Sequence, residues 1–320
     1  MVQPVRAEGP GKETSNPEEV TAVPLKDITI KKGLTGTPLE ASGASYLPDL
    51  KMFAVVSDET DKKRPDLFFM DTVGHIEQKT VVGMVAEIND LEGITQDKNG
   101  YFYLLTSQSY NRKRKCSDQR KLLLKVRREG GQFAAISSVS LTDILLAVSR
   151  KAEKEAWSVF LRRAVNEKSI DVEGICWSHD TMLIGFKNPK IGNKAVVLAI
   201  CDTDRMFSNG VLKPRQIAIW DTLNVLHKAS GTFCGISDLF YHREQLFGVS
   251  TGVRKRHGLS EDVGVFWRYS RKNHVMTPIQ YFEGTKPEGL AYNSDIDEFC
   301  ITFDNGSKNP SQMLIVKVSQ

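Results

Sequence analysis

Asp171-Val172-Glu173-Gly174-Ile175-Cys176-Trp177 and Asp90-Leu91-Glu92-Gly93-Ile94-Thr95 are two copies of one phrase: an acidic residue, a Gly, then a β-type run. Three further copies follow the same plan. They are Glu40-Ala41-Ser42-Gly43-Ala44-Ser45-Tyr46, Thr232-Phe233-Cys234-Gly235-Ile236-Ser237-Asp238 and Lys286-Pro287-Glu288-Gly289-Leu290-Ala291-Tyr292. A phrase that returns every 50 to 81 residues, each time followed by several strand-like runs, is the signature of propeller blades.

Alternation, β-branched content and turn residues divide each repeat into strands. Blade one reads Ala44–Leu47, Met52–Ser57, Asp66–Asp71 and Ile76–Val82. Blade two reads Ile94–Gln96, Tyr101–Thr106, Lys121–Arg127 and Phe133–Val139. Blade three reads Ile175–Ser178, Met182–Phe186, Ala195–Cys201 and Gln216–Trp220. Blade four reads Ile236–Tyr241, Gln245–Ser250, Gly264–Tyr269 and Met276–Phe282. Blade five supplies only Leu290–Asn293, Glu298–Phe303 and Met313–Val318 before the chain ends. The run Leu25–Ile30 has no blade of its own, so it is expected to supply the missing outer strand and close the ring, which removes unpaired sheet edges. The expected fold is an all-β, five-bladed β-propeller over residues 23–320, with a sixth, irregular blade possible inside the long third repeat.

Thr142–Lys168 breaks the β pattern. Ile144, Leu145, Val148, Ala152, Ala156, Val159, Phe160 and Val165 approximate a 3.6-residue period, and Thr142 or Asp143 can cap its start. This predicts a helical insertion between blades two and three, covering a blade flank or acting as a lid.

Composition excludes several classes. The 320 residues are 40% hydrophobic and 26% charged, ordinary for a soluble globular protein. No apolar run is long enough to span a bilayer, so no membrane partner is expected. Residues 1–22 are polar and rich in Pro and Gly, lack the apolar stretch of a signal peptide, and read as a disordered leader. The compartment stays open: cytoplasmic, or secreted if a signal has been trimmed. A formal charge of +4 does not by itself imply nucleic acid, which is an unlikely partner. Five cysteines without CxxC spacing argue against a disulfide framework, and Cys176, Cys201 and Cys300 read as buried thiols. There is no GxSxG, Walker A or strand-linked GxGxxG motif. Of six scattered histidines, only His257 lies in a basic loop on the site face, where it is more simply a surface residue than a proton-transfer group.

The residue before each repeat Gly should stand at the start of an innermost strand, beside the central channel. In ring order these are Ser42, Glu92, Glu173, Cys234 and Glu288. Three carboxylates around one axis must be protonated, solvated or neutralised by a cation. Ca²⁺ suits them, because it takes 6–8 oxygen ligands in loose geometry, whereas Zn²⁺ would want a nitrogen and sulfur set. Asp90 and Asp171, two residues earlier, can support the ligands from behind. Loops on the same face are basic. Ser107–Lys121 carries a net +5, including Arg112 and Arg114, and Lys187–Lys194 carries +3; Arg254 lies in Thr251–Gly264. A basic rim around an acidic centre suits a phosphate ester or another anion. Solvated loops would have the same composition.

Ser57-Asp58-Glu59, Asp90-Leu91-Glu92-Gly93, Asp171-Val172-Glu173-Gly174, Leu183-Ile184-Gly185-Phe186-Lys187-Asn188-Pro189 and Pro287-Glu288-Gly289-Leu290 resemble an uncharacterised, mostly bacterial propeller family of unknown function. That family is related to the esterase-like phytase and SdiA-regulated-like propellers. The resemblance spans about Leu39 to Val318 and implies the fold, without an activity. A more distant likeness is to the calcium-activated nucleotidases (apyrases), whose five-bladed ring has the order Ser, Glu, Glu, Ser, Glu. It implies Ser42, Glu92, Glu173 and Glu288 as Ca²⁺ ligands. The fourth position is Cys234 here, a poor Ca²⁺ ligand, so a backbone carbonyl, Ser237 or water would serve.

Two functions follow as expectations. One is a metal-dependent phosphoester or phosphoanhydride hydrolase, with Glu92 or Glu173 as base and Arg112, Arg114, Lys187 and Arg254 binding the substrate phosphate. The other is a non-catalytic scaffold with a structural metal, binding a protein or polyanion on its rim.

Overall fold

A computed structural model describes residues 24–36, 38–58, 63–85, 87–306 and 308–318. The expected leader, residues 1–22, lies outside the described residues. Five antiparallel sheets stand around a central axis, each running outward from an innermost strand. The blades are Ala41–Leu47, Met52–Ser57, Asp66–Met70 and His75–Val81; Leu91–Gln96, Phe102–Thr106, Leu122–Glu129 and Gln132–Ser140; Asp171–Ser178, Thr181–Asn188, Ala195–Cys201 and Ile217–Leu223; Gly235–His242, Gln245–Arg256, Leu259–Ser270 and Val275–Glu283; and Lys286–Asn293, Glu298–Asp304 and Gln312–Val316.

Closure uses the expected N-terminal run in a divided way. Lys26–Asp27 pairs antiparallel with Gln312–Met313 and completes blade five. Thr29–Ile30 then pairs parallel with His75–Ile76 on the outer edge of blade one. One six-residue stretch thus joins the last blade to the first, with Ile28 buried between them. No sixth blade forms among the described residues.

Each sheet is apolar on both faces because each is packed on two neighbours. The buried residues accordingly fall into five cores, one per blade junction. Examples are Val56, Leu91 and Leu104 between blades one and two, and Phe247, Phe266 and Phe299 between blades four and five. The glycines of the repeated phrase permit close approach at the axis. A Cβ on Gly43 would stand 2.7 Å from the Glu92 carbonyl oxygen, and one on Gly93 would stand 2.8 Å from that of Glu173. Neither position has room for a side chain.

The long third repeat is filled by helices. Helix α1 (Leu141–Ser149) and helix α2 (Ala156–Asn166) pack Leu145, Val148, Trp157, Phe160 and Leu161 into the core between blades two and three. The insertion therefore covers a blade flank. Its start is capped from outside: the Gln108 side chain accepts hydrogen bonds from the Thr142 backbone N–H (3.2 Å) and hydroxyl (2.8 Å). Thr142 and Asp143, expected as caps, lie inside the helix, which begins at Leu141 because Ser140 is still in the blade-two strand. A third helix, α3 (Thr203–Asn209), was not expected from sequence. All five cysteines are free, and Cys201 is exposed at the end of its strand rather than buried.

Candidate functional site at the channel mouth

The inner strands begin one to four residues earlier than the starts read from sequence, so the ring residues lie inside them. In every blade the inner strand bulges at one residue. The register slips between Ala41 and Gly43, Leu91 and Gly93, Val172 and Gly174, Ile236 and Asp238, and Pro287 and Gly289. The extra residues are Ser42, Glu92, Glu173, Ser237 and Glu288. A bulge leaves one residue unpaired and re-aims its side chain, which here points the set at the axis. The fourth ring position is therefore Ser237, not Cys234. Blade four carries Asp238 where the other blades have Gly, and its own Gly235 lies three residues earlier. The Asp238 carboxylate accepts hydrogen bonds from the backbone N–H groups of Leu239 and Leu290, both at 2.8 Å, and so ties blade four to blade five. Cys234 is buried, with its Sγ 3.8 Å from the Thr232 carbonyl.

Glu92, Glu173 and Glu288 are 7%, 6% and 4% exposed. One oxygen of each lies within 4.8 Å of one oxygen of each of the others. Blade three adds a group that the sequence reading had placed on a rim loop. A second bulge, between Asp171 and Val172, leaves Lys187 unpaired in the adjoining strand. Its ammonium stands 2.7 Å from Glu173 Oε1 and 3.0 Å from Glu288 Oε1. Gly235 makes room for this turn, since a Cβ there would stand 2.1 Å from the Lys187 carbonyl oxygen. Burial opposes the charge on Lys187, but Glu173, Glu288 and Asp171 outweigh it and hold the ammonium well above its ordinary pKa. Lys286 bridges Glu288 Oε1 (2.9 Å) and Asp304 Oδ2 (3.0 Å).

Compensation is one-sided. Glu288 faces two ammonium groups and Glu173 one. Among the described residues no cation pairs with Glu92. Burial, then Glu173, Asp58, Asp90 and Glu288, push its carboxyl well above the usual range. Asp90 is engaged by Arg120 (Nη2 to Oδ1, 2.7 Å) and by the Ser107 hydroxyl. Asp58, Asp90 and Glu92 form a second close acidic group. Glu173 Oε2 is buried without a hydrogen-bond partner. An all-oxygen, carboxylate-rich set with an orphaned oxygen has the chemistry a hard cation requires, so this acidic cluster could bind a metal ion. Two hydroxyls complete the ring: Ser42 donates to the Leu91 carbonyl at 2.6 Å, and Ser237 lies 3.0 Å from the Thr251 hydroxyl.

The other expected substrate-binding residues do not converge on the ring. Arg112 and Arg114 are exposed on the blade-two loop, where Arg114 donates to the Glu167 carbonyl at 3.3 Å. Arg254 lies in a long hairpin rather than a loop, and its guanidinium is held by Glu261 (2.9 Å) and Glu283 (2.5 Å). His257 forms the two-residue turn of that hairpin with Gly258, both at positive φ. A cavity of about 490 Å³ opens between blades two and three, with Asp171 and Asn188 in its wall. Another of about 770 Å³ lies between blades four and five, lined by Lys286 and Asp304.

The class is thus a five-bladed β-propeller with a ring of buried carboxylates at its axis. Its likenesses to known proteins lie in the fold. A GDP-Man-dependent mannosyltransferase from Leishmania mexicana superposes over 93% of this chain and 90% of its own, with TM-score 0.51 and 9% identity. A glutaminyl cyclase of Myxococcus xanthus aligns over 93% and 96%, with TM-score 0.46 and 10% identity. The Dos1 propeller aligns over 92% and 75%, with TM-score 0.38 and 9% identity. No family model and no curated protein matches the sequence. No helix among the described residues is long and apolar enough to cross a membrane.

Proposed function

We propose that the protein is a cation-dependent phosphoester or phosphoanhydride hydrolase whose Glu92 side binds one divalent ion, Ca²⁺. The observation that carries this reading is the one-sided charge compensation. Lys187 and Lys286 serve Glu173 and Glu288, while among the described residues no ammonium pairs with Glu92 and Oε2 of Glu173 has no hydrogen-bond partner. Glu92, Glu173 and Glu288 would hold the ion, with hydroxyls from Ser42 and Ser237. With Ser237 in fourth place, the ring order is Ser, Glu, Glu, Ser, Glu, as in the calcium-activated nucleotidases that the sequence resembles. Bound there, the ion would supply charge to a phosphoryl oxygen. Glu92, the ring carboxyl with no ammonium against it among the described residues, or Glu173 would act as the base toward an attacking water.

Phosphate release from nucleotides and phosphate monoesters, measured with Ca²⁺ and with chelator, tests the reading. Ca²⁺-dependent release lost in Glu92→Gln supports it; no release from any substrate at saturating Ca²⁺ overturns it. The position of Lys187 favours a second reading. An ammonium already held by two of the three carboxylates pins the inner strands, as a non-catalytic scaffold binding a protein or polyanion would require. Thermal stabilisation by Ca²⁺ without phosphate release selects that alternative.

A further inference from the structure

The cavity between blades two and three has an electrostatic character that the ring does not explain. Its walls come from three segments: the blade-two loop at Ser109 and Tyr110, the exit from helix α2 at Lys168–Asp171, and the blade-three loop at Asn188–Gly192. Lys190 is half-buried in this wall, and among the described residues no carboxylate pairs with it. Burial, then the neighbouring Lys187 charge, lowers its pKa. Lys168 reaches in from the opposite side, where its ammonium stands 3.3 Å from the Arg114 carbonyl and 5.7 Å from the centre of the Tyr110 ring. Neither contact neutralises it. Among the described residues lining the cavity Asp171 is the one carboxylate, and it is already served by Lys187 and Asn188.

We infer that this cavity is an anion site for a small organic phosphate, with Lys190 as its principal counter-ion and Lys168 as the second. Two ammonium groups on facing walls call for about two negative charges, which a phosphate monoester carries near neutrality and a single carboxylate does not. The Tyr110 hydroxyl and the Asn188 amide are neutral donors on the same walls. The volume lies within the range of small-molecule sites. This assignment deepens the proposed hydrolase by naming where its substrate's phosphate rests. It replaces Lys187 and Arg254, which carboxylates engage, by two lysines.

Binding here needs no metal, so the test is run in chelator. Inorganic phosphate and phenyl phosphate are titrated by calorimetry into the wild-type chain and into Lys190→Gln, Lys190→Arg, Lys168→Gln and Lys255→Gln. Lys255 is an exposed cation on the blade-four hairpin. Saturable binding is expected in the wild type, weakened about tenfold or more in Lys190→Gln by loss of a charge-assisted contact. Lys190→Arg should bind nearly as the wild type does, Lys168→Gln several-fold more weakly, and Lys255→Gln unchanged. Unaltered melting temperatures establish that the variants are folded. No saturable binding by the wild type, or equal affinity in Lys190→Gln and Lys255→Gln, overturns the assignment. Because the ring's metal is absent throughout, the hydrolase reading and this one can fail separately.

Discussion

Replacing Lys187 by Met keeps most of the side-chain stem and removes only the ammonium that bridges Glu173 and Glu288 at 2.7 and 3.0 Å. The loss should therefore be electrostatic rather than a packing defect. Stripping the partner from a buried ion pair typically costs about 3–5 kcal/mol. Spread over the unfolding entropy of about 300 residues, that lowers the melting temperature by roughly 5–8 °C. The direction with pH follows from the carboxylates. Burial raises the Glu173 pKa, and Lys187 is the largest opposing influence. Without it the folded carboxyl binds its proton more tightly still than the unfolded one, so the folded state holds more protons and stability falls as pH rises. The deficit should therefore grow as pH rises from 4.5 to 7.5. Ca²⁺ should restore more of it in Lys187→Met than it adds to the wild type, since a bound ion can take over the vacated charge. Scanning calorimetry from pH 4.5 to 7.5, with chelator and with Ca²⁺, measures all three. A deficit equal at every pH, or no deficit at all, would refute the idea that Lys187 is the ring's resident counter-charge.

Other outcomes follow from single contacts. Asp238→Ala leaves the Leu239 and Leu290 N–H groups without their acceptor and should cost about 2–4 kcal/mol, read as a lower urea midpoint with unchanged slope. Gly93→Ala places a methyl 2.8 Å from the Glu173 carbonyl oxygen and should cost about 1–3 kcal/mol, since the axis cannot widen without moving blade three. His227 is buried, with its Nδ1 2.9 Å from the Ser230 hydroxyl. Burial, then Arg254, lowers its pKa below the ordinary value, against the pull of Glu283. The unfolded chain therefore holds the extra proton first as pH falls through about 6.5, and the wild type loses up to about 1.4 kcal/mol per pH unit below it. His227→Gln should flatten that slope in denaturant melts at pH 5.5 and 7.5; an unchanged slope would show that other groups set it.

Much of the fold was legible because closure and repetition leave residue-level traces. The glycine phrase marks where inner strands converge, and the orphan run at Leu25–Ile30 announces the closing strand. Four ring members, Ser42, Glu92, Glu173 and Glu288, could be read in the same way. The fifth could not. Blade four substitutes Asp238 for the glycine, and that carboxylate fits only because two backbone N–H groups wait for it. Gly235 offered a false register three residues away, and only the hydrogen-bond ladder picks out Ser237. Lys187 was read as a rim cation because its neighbours look like a loop. A one-residue bulge, invisible in composition, turns it into the axis. Arg254 misled for the opposite reason, since Glu261 was read only as part of the loop's charge and Glu283 lies on the next strand of the blade. Lys168 and Lys190 carried a signal in their charge, but only packing brings the exit of helix α2 beside the blade-three loop.

The central claim is that the Glu92 side of the ring takes one divalent cation. Calorimetric titration of Ca²⁺ into chelator-stripped wild type and Glu92→Gln tests it most directly. The account predicts a single saturable site in the wild type, accompanied by a rise in melting temperature, and loss of both in Glu92→Gln. Absence of a saturable site in the wild type, or undiminished binding in Glu92→Gln, would contradict it.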